Sequence, residues 1–271
     1  MQRIIIFLSL LTFSIWICVF SINDNLQIIA CDVGQGDAIL IQKKTTQILI
    51  DGGPNSEVLT CLGKYMPLGD DKIEMVINTH PEVDHYTGLI DVFKRYKVDN
   101  FGINGATSSS QGYKVLETLV GGSGAKSVVL TKGTSIKVGM IYLDILNPIT
   151  NNQITNNQIK INKTNNNGVV ILLKYAQFKA LFTADVENEV GDILAEEEKI
   201  KNLNYIKVSH HGSKNGMTEN LLKTVNPEVA VISVGVRNNY GHPHAEILEM
   251  LRNQNVKILR TDEIGDVIIK I

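Results

Sequence analysis

Residues 78–88 read NTHPEVDHYTG. His80, Asp84 and His85 have the spacing H-x-x-x-D-H, and Glu82 stands where a further imidazole could have been. The run before them, IEMVINT (73–79), is mostly apolar and predicts a strand. The run that follows, HYTGLIDVFKRY (85–96), places Leu89, Phe93 and Tyr96 on one helical face. The motif therefore falls on a loop between a strand and a helix. Two readings are open at this point: a helix cap with Asp84 near the helix dipole, or a set of metal ligands.

Outward from this stretch, LQIIACDV (26–33), DAILIQ (37–42) and TQILIDGG (46–53) read as consecutive strands separated by turns. Helix NSEVLTCLGKYM (55–66) follows, and YKVLETLV (113–120) and the hairpin SIKVGMIYLDIL (135–146) come after the motif. The second half alternates strands GVVILLKY, KALFTADV, NYIKVSHH and EVAVISVG with helices ENEVGDILAEEEK, TENLLKTV and AEILEMLRNQ, then closes with VKILRT and GDVIIKI. This order predicts two sheets packed face to face with helices outside. No linker divides residues 24–271, which read as one domain. The Asn-rich stretch 150–167 has a composition that cannot build a core and reads as a surface insertion.

The chain has 271 residues, 44% of them apolar and 20% charged, with a formal net charge of −2. Nothing in that balance demands a nucleic-acid partner electrostatically, although a local basic groove is compatible with it. Residues 4–20 carry no charge and follow Arg3, so residues 1–23 read as an export signal or an N-terminal membrane anchor. The alternative is a buried helix. Either export reading places the remainder at the outer face of the cytoplasmic membrane. Cys31 and Cys61 are candidates for pairing in an oxidising compartment, which the sequence leaves open.

All six histidines fall in three clusters at strand ends: His80 with His85, His210 with His211, and His242 with His244. Asp185 closes another strand, where the plain alternative is a helix cap. Imidazole nitrogens mixed with carboxylate oxygens suit a divalent first-row ion, and a lone carboxylate such as Asp185 is suited to bridging two ions. Because side chains alternate along a strand, His210 shares the apolar face of Ile206 and Val208. His210 is therefore the expected ligand and His211 an outer or proton-transfer residue. Asp32, Asp37 and Asp51, in DVGQGDA and IDGG, are expected to support the site or meet substrate.

HPEVDH, LFTADVE, KVSHHGS and YGHPH, together with DVGQGDAILI and ILIDGG, resemble the metallo-β-lactamase superfamily, and within it the ComEC-type competence hydrolases and their stand-alone relatives. The resemblance spans nearly all of residues 26–271. It implies an α/β fold, an αββα sandwich of two mixed sheets, with a site for one or two divalent ions, Zn²⁺ or Mn²⁺, at one edge. It implies metal ligation by His80, Asp84, His85, Asp185, His210 or His211, and His242. Glu82 replaces the second histidine of the family motif, and Asn165, Asn166 and Asn167 stand where a later histidine is usual. The expected activity is metal-dependent hydrolysis by an activated water. A phosphodiester such as DNA is the first substrate class, with Asp84 positioning water and His211 or His244 protonating the leaving group. A small lactone, thioester or β-lactam is the alternative, and a non-catalytic metal-binding module the third reading. Oligomeric state is not readable.

Overall fold

The structure, a computed structural model, describes residues 25–149 and 164–271. The expected leader or anchor at 1–23 and most of the Asn-rich stretch lie outside the described residues. Numbering elements in chain order, the first sheet holds β1 (Gln27–Ala30), β2 (Ile39–Lys43), β3 (Thr46–Ile50), β4 (Lys72–Asn78), β5 (Lys97–Ile103), β6 (Lys126–Val129) and β14 (Val267–Lys270) in the order β14-β1-β2-β3-β4-β5-β6. The second holds β7 (Ser135–Val138), β8 (Ile141–Asn147), β9 (Val170–Tyr175), β10 (Phe178–Phe182), β11 (Tyr205–Lys207), β12 (Val229–Ile232) and β13 (Lys257–Arg260), in the order β13-β12-β11-β10-β9-β8-β7.

Strand alternation explains the layering. Ile28, Ile41, Ile48 and Ile77 of the first sheet share one core with Leu143, Ile171, Leu173, Phe182 and Tyr205 of the second. The opposite face of the first sheet, with Leu40, Leu49 and Val76, packs on helices α1 (Glu57–Tyr65), α2 (Val83–Arg95) and α3 (Gln111–Ser123). The outer face of the second, with Leu172, Ile206 and Ala230, packs on α4 (Asn188–Ala195), α5 (Glu219–Val225) and α6 (Ala245–Asn253). The last strand leaves the second sheet through the short α7 (Thr261–Ile264) and pairs antiparallel with β1. This is the αββα sandwich. Cys31, just after β1, is joined to Cys61 of α1 by a disulfide with the Cα atoms 5.8 Å apart.

Strands β3, β4, β5 and β6 run parallel, as do β10, β11, β12 and β13. Asp51, His80, Asp185, His211 and Ser233 all follow carboxyl ends of these parallel strands, the usual place for a site in such sheets. Two strands escape the sequence reading. β5 (KVDNFGI) interrupts its apolar residues with charge, and β6 (KSVV) is an exposed edge strand with no buried residue to give it a period. The helix after the motif starts at Val83, so Asp84 and His85 occupy its first turn and not the preceding loop.

Candidate metal centre

Asp51 organises one side of the site. It is fully buried. Its Oδ1 accepts the Thr79 N–H at 2.8 Å and the Asn78 amide at 3.2 Å; its Oδ2 accepts the Thr79 hydroxyl at 2.7 Å. His85 Nδ1 lies 2.9 Å from the same Oδ2. Two glycines let these segments meet at backbone distance: Gly52 N donates to His85 O at 2.7 Å and Gly88 N to Gly53 O at 2.9 Å. A Cβ on Gly88 would fall onto the Gly52 carbonyl oxygen.

The hydrogen bonds fix which nitrogen each buried imidazole presents. The Thr79 hydroxyl proton is given to Asp51, so Thr79 Oγ1 accepts from His80 Nδ1 at 2.9 Å. His85 Nδ1 donates to the Asp51 carboxylate. His211 Nδ1 lies 2.9 Å from the Ser233 carbonyl, which can only accept. In all three, Nε2 is left for the pocket, and all three Nε2 atoms are buried without a hydrogen-bond partner. An orienting acceptor behind each ring is the arrangement found behind metal-ligating histidines.

Four donors converge there. Asp84, His85, Asp185 and His211 each offer one atom, all within 4.8 Å of one another. Asp185 Oδ2 is 3.3 Å from His85 Nε2 and 3.2 Å from His211 Nε2; Asp84 Oδ2 is 3.9 and 3.3 Å from the same two nitrogens. The His80 ring centroid lies 4.1 Å from that of His85. A two-nitrogen, two-oxygen set fits a divalent first-row ion. A second group, Asp37, Asp51 and His85, is the supporting layer beneath: Asp51 is already engaged in hydrogen bonds, and Asp37 pairs with buried Lys207.

Electrostatics follow this crowding. Burial opposes charge on His85, but Asp185 and Asp51 outweigh it and hold the imidazole well above its usual range. Burial likewise opposes His211, and Asp185 and Asp37 push it up to about 10. Burial and then the charge of His85 hold His80 well below. Burial raises Asp84, yet His211 and His85 bring it down to about 2. Glu82, at the N-terminus of α2, is raised by burial and by Asp84.

The choice of His210 over His211 does not match the structure. β11 ends at Lys207, and His210 and His211 follow in a turn with φ of 49° and 54°, beyond any strand alternation. The face of Ile206 and Val208 is also the wrong one: it packs on the outer helices, whereas Tyr205 faces the core between the sheets. His211 Nε2 therefore joins the four donors, and His210 Nε2 stays 3.9 Å from Asp185 Oδ2 with its side chain 26% exposed. His242 is a ring farther out, its centroid 5.7 Å from His210 and 6.5 Å from His211, with His244 5.0 Å beyond it. Glu82 and Asn167 line a cavity of about 330 Å³ with Thr107 and Ser108. Asn166 is buried and its side-chain oxygen accepts the Glu187 N–H at 2.8 Å. Asp32 is exposed and accepts the Gly34 N–H at 3.3 Å in its own turn.

Sequence reasoning passed over Lys207. Its Nζ forms an ion pair with Asp37 and lies 3.5 Å from Asp185 Oδ1 and 3.2 Å from the Ala184 carbonyl. Burial disfavours its charge, but Asp37 and Asp185 outweigh that and raise its pKa. A lysine on the same strand face as Tyr205, four residues before His211, was the available signal.

The family model described as the metallo-beta-lactamase superfamily matches residues 31–116, from the end of β1 into α3. ComE operon protein 3 of Bacillus subtilis (strain 168) is 24% identical over 261 residues, covering 87% of this chain and 32% of that protein. Recombination protein 2 of Haemophilus influenzae is 28% identical over 247 residues, covering 89% and 28%. The fold is that of the metallo-β-lactamase fold protein YhfI from Bacillus subtilis, at a TM-score of 0.62 and 12% identity over 91% of this chain and 99% of that one. The family match and these relatives support a metallo-β-lactamase superfamily reading of the chain. The similarity is to competence proteins, and the chain spans about a third of the length of the curated relatives it matches. The donor cluster, fed by residues that follow strands of both sheets, is suited to a divalent metal. Among the described residues no helix is long and apolar enough to cross a membrane.

Proposed function

We propose that this chain is a metal-dependent hydrolase of phosphodiester bonds, with DNA as the first candidate substrate. The convergence of Asp84, His85, Asp185 and His211, with Nε2 of both histidines fixed toward the centre, carries this reading. These four residues would hold one ion, Zn²⁺ or Mn²⁺, and with Glu82 in place of a histidine any second position would be poorer in nitrogen and more open to a harder ion such as Mn²⁺. A divalent ion so held supplies Lewis acidity and a nucleophilic water near neutral pH. Asp84, 32% exposed, reaches the open side and orients that water. His244, whose ring lies 5.0 Å from that of His242, is the candidate proton donor to the leaving oxygen. Similarity to the competence proteins favours the nucleic-acid substrate.

We further propose that residues 1–23 export or anchor a domain spanning 24–271. The Cys31–Cys61 disulfide supports an oxidising compartment. A small lactone, thioester or β-lactam is the second reading, favoured by the net charge of −2 and by the cavity beside Glu82. Metal analysis of the purified chain, followed by assays on single- and double-stranded DNA with Mn²⁺ and with Zn²⁺, decides between them. DNA cleavage that survives both His80→Ala and Asp185→Ala, or turnover of small esters with none of DNA, overturns the phosphodiesterase reading.

A further inference from the structure

A row of near-parallel rings leads from the surface to the metal centre. Tyr240 is 67% exposed and stacks on His242, with centroids 5.6 Å apart and planes 25° from parallel. His242 continues to His211 at 6.5 Å and 27°. His211 Nε2 is one of the four converging donors. The outermost ring is thus two steps from the reacting position.

The loop that presents Tyr240 is held by one side chain. Asn238 Oδ1 accepts the N–H of Tyr240 at 3.1 Å and of His242 at 3.0 Å. Its amide donates to the carbonyls of Gly235 at 3.1 Å and His242 at 2.6 Å. The Tyr240 ring lies against His242 on one side and is left largely in water by this constrained loop, and Arg237 is exposed on the same loop. A planar partner laid on the free face of Tyr240 would extend the row by one more ring. Aromatic platforms flanked by cationic side chains take nucleobases in this way, whatever the base, because each base has a π-face.

We propose that Tyr240 is the stacking platform for the nucleobase adjoining the phosphodiester under attack, which makes the preferred substrate a strand with unpaired bases. This rests on the phosphodiesterase reading above and adds a subsite outside the metal ligands. The test uses the full chain loaded with Mn²⁺ and compares the wild type with Tyr240→Ala and Tyr240→Trp. The substrates are a single-stranded oligonucleotide carrying 2-aminopurine and its fully abasic counterpart. The wild type is expected to quench 2-aminopurine on binding. Tyr240→Ala should lose the quench and raise KM for the base-bearing strand by about five- to a hundredfold, with kcat nearly unchanged. Tyr240→Trp should keep both properties, and the abasic strand should be indifferent to either change. If Tyr240→Ala treats the base-bearing strand as the wild type does, or weakens both strands equally, the stacking platform is wrong while the phosphodiesterase stands. A wild type that neither binds nor cleaves either strand removes the phosphodiesterase reading and this subsite with it.

Discussion

Lys207 Nζ lies 3.5 Å from Asp185 Oδ1 and is ion-paired with Asp37, so a buried ammonium forms the floor beneath the metal donors. All three side chains are at most 2% exposed. Breaking such a pair from one side leaves uncompensated buried charge, at a cost of about 3–5 kcal/mol. Lys207→Met should therefore destabilise the metal-free protein by that order in urea unfolding. Saturating Mn²⁺ should return part of the loss, because an ion at Asp185 takes over half of the compensation. A variant as stable as the wild type without metal refutes this account.

The geometry separates two layers of histidines. His211→Ala and Asp185→Ala should each strip the tightly bound ion, measured by elemental analysis after dialysis. His210→Ala and His242→Ala should retain it, since neither ring joins the four donors. Retention by His211→Ala with loss by His210→Ala would reverse the assignment.

Proton and metal compete for the same nitrogens. In the metal-free protein His211 is pushed up to about 10 and His85 is also raised, so both are protonated at neutral pH. A histidine with a raised folded pKa stabilises fully below its unfolded value of about 6.5. That contribution is lost as pH rises through about 10. The metal-free protein should thus lose stability between those limits. At pH 7 metal uptake should release a proton from each of the two rings. Titration calorimetry in buffers of different ionisation enthalpy reads this directly, and a heat independent of the buffer would contradict it.

The Cys31–Cys61 bond closes a segment with a sequence separation of 30. On chain entropy a loop of that size contributes about 3–4 kcal/mol. Denaturant unfolding with and without a strong reductant should show a difference of that order, and the same drop in Cys31→Ser. Equal midpoints would show the bond to be idle.

Much of this architecture was readable beforehand because period and burial agree. The runs at 26–53 are apolar on both faces, one face packing on the second sheet and the other on the helices, and turns separate them. KVDNFGI and KSVV were passed over because neither carries enough buried residues to set a period. At the site, residue type at strand ends located the three histidine clusters. Strand alternation favours His210 over His211, and that rule fails because two successive left-handed residues reset the direction of both side chains. Lys207 was invisible for a different reason: a charged residue in a strand reads as surface, and only the partners brought by Asp37 and Asp185 from other strands let it stay inside.

The close approach of Gly88 to Gly52 bears on how fast the centre can fill. The carboxylate that orients His85 and the imidazole itself ride on two backbones bonded directly to each other, with no side chain between them to give way. Such a clasp leaves the cage already shaped before any ion arrives, so the slow event should be the shedding of water by the incoming ion. Stopped-flow uptake should then be a single phase whose rate climbs with metal concentration without levelling off; a plateau would mean that the cage has to reorganise first.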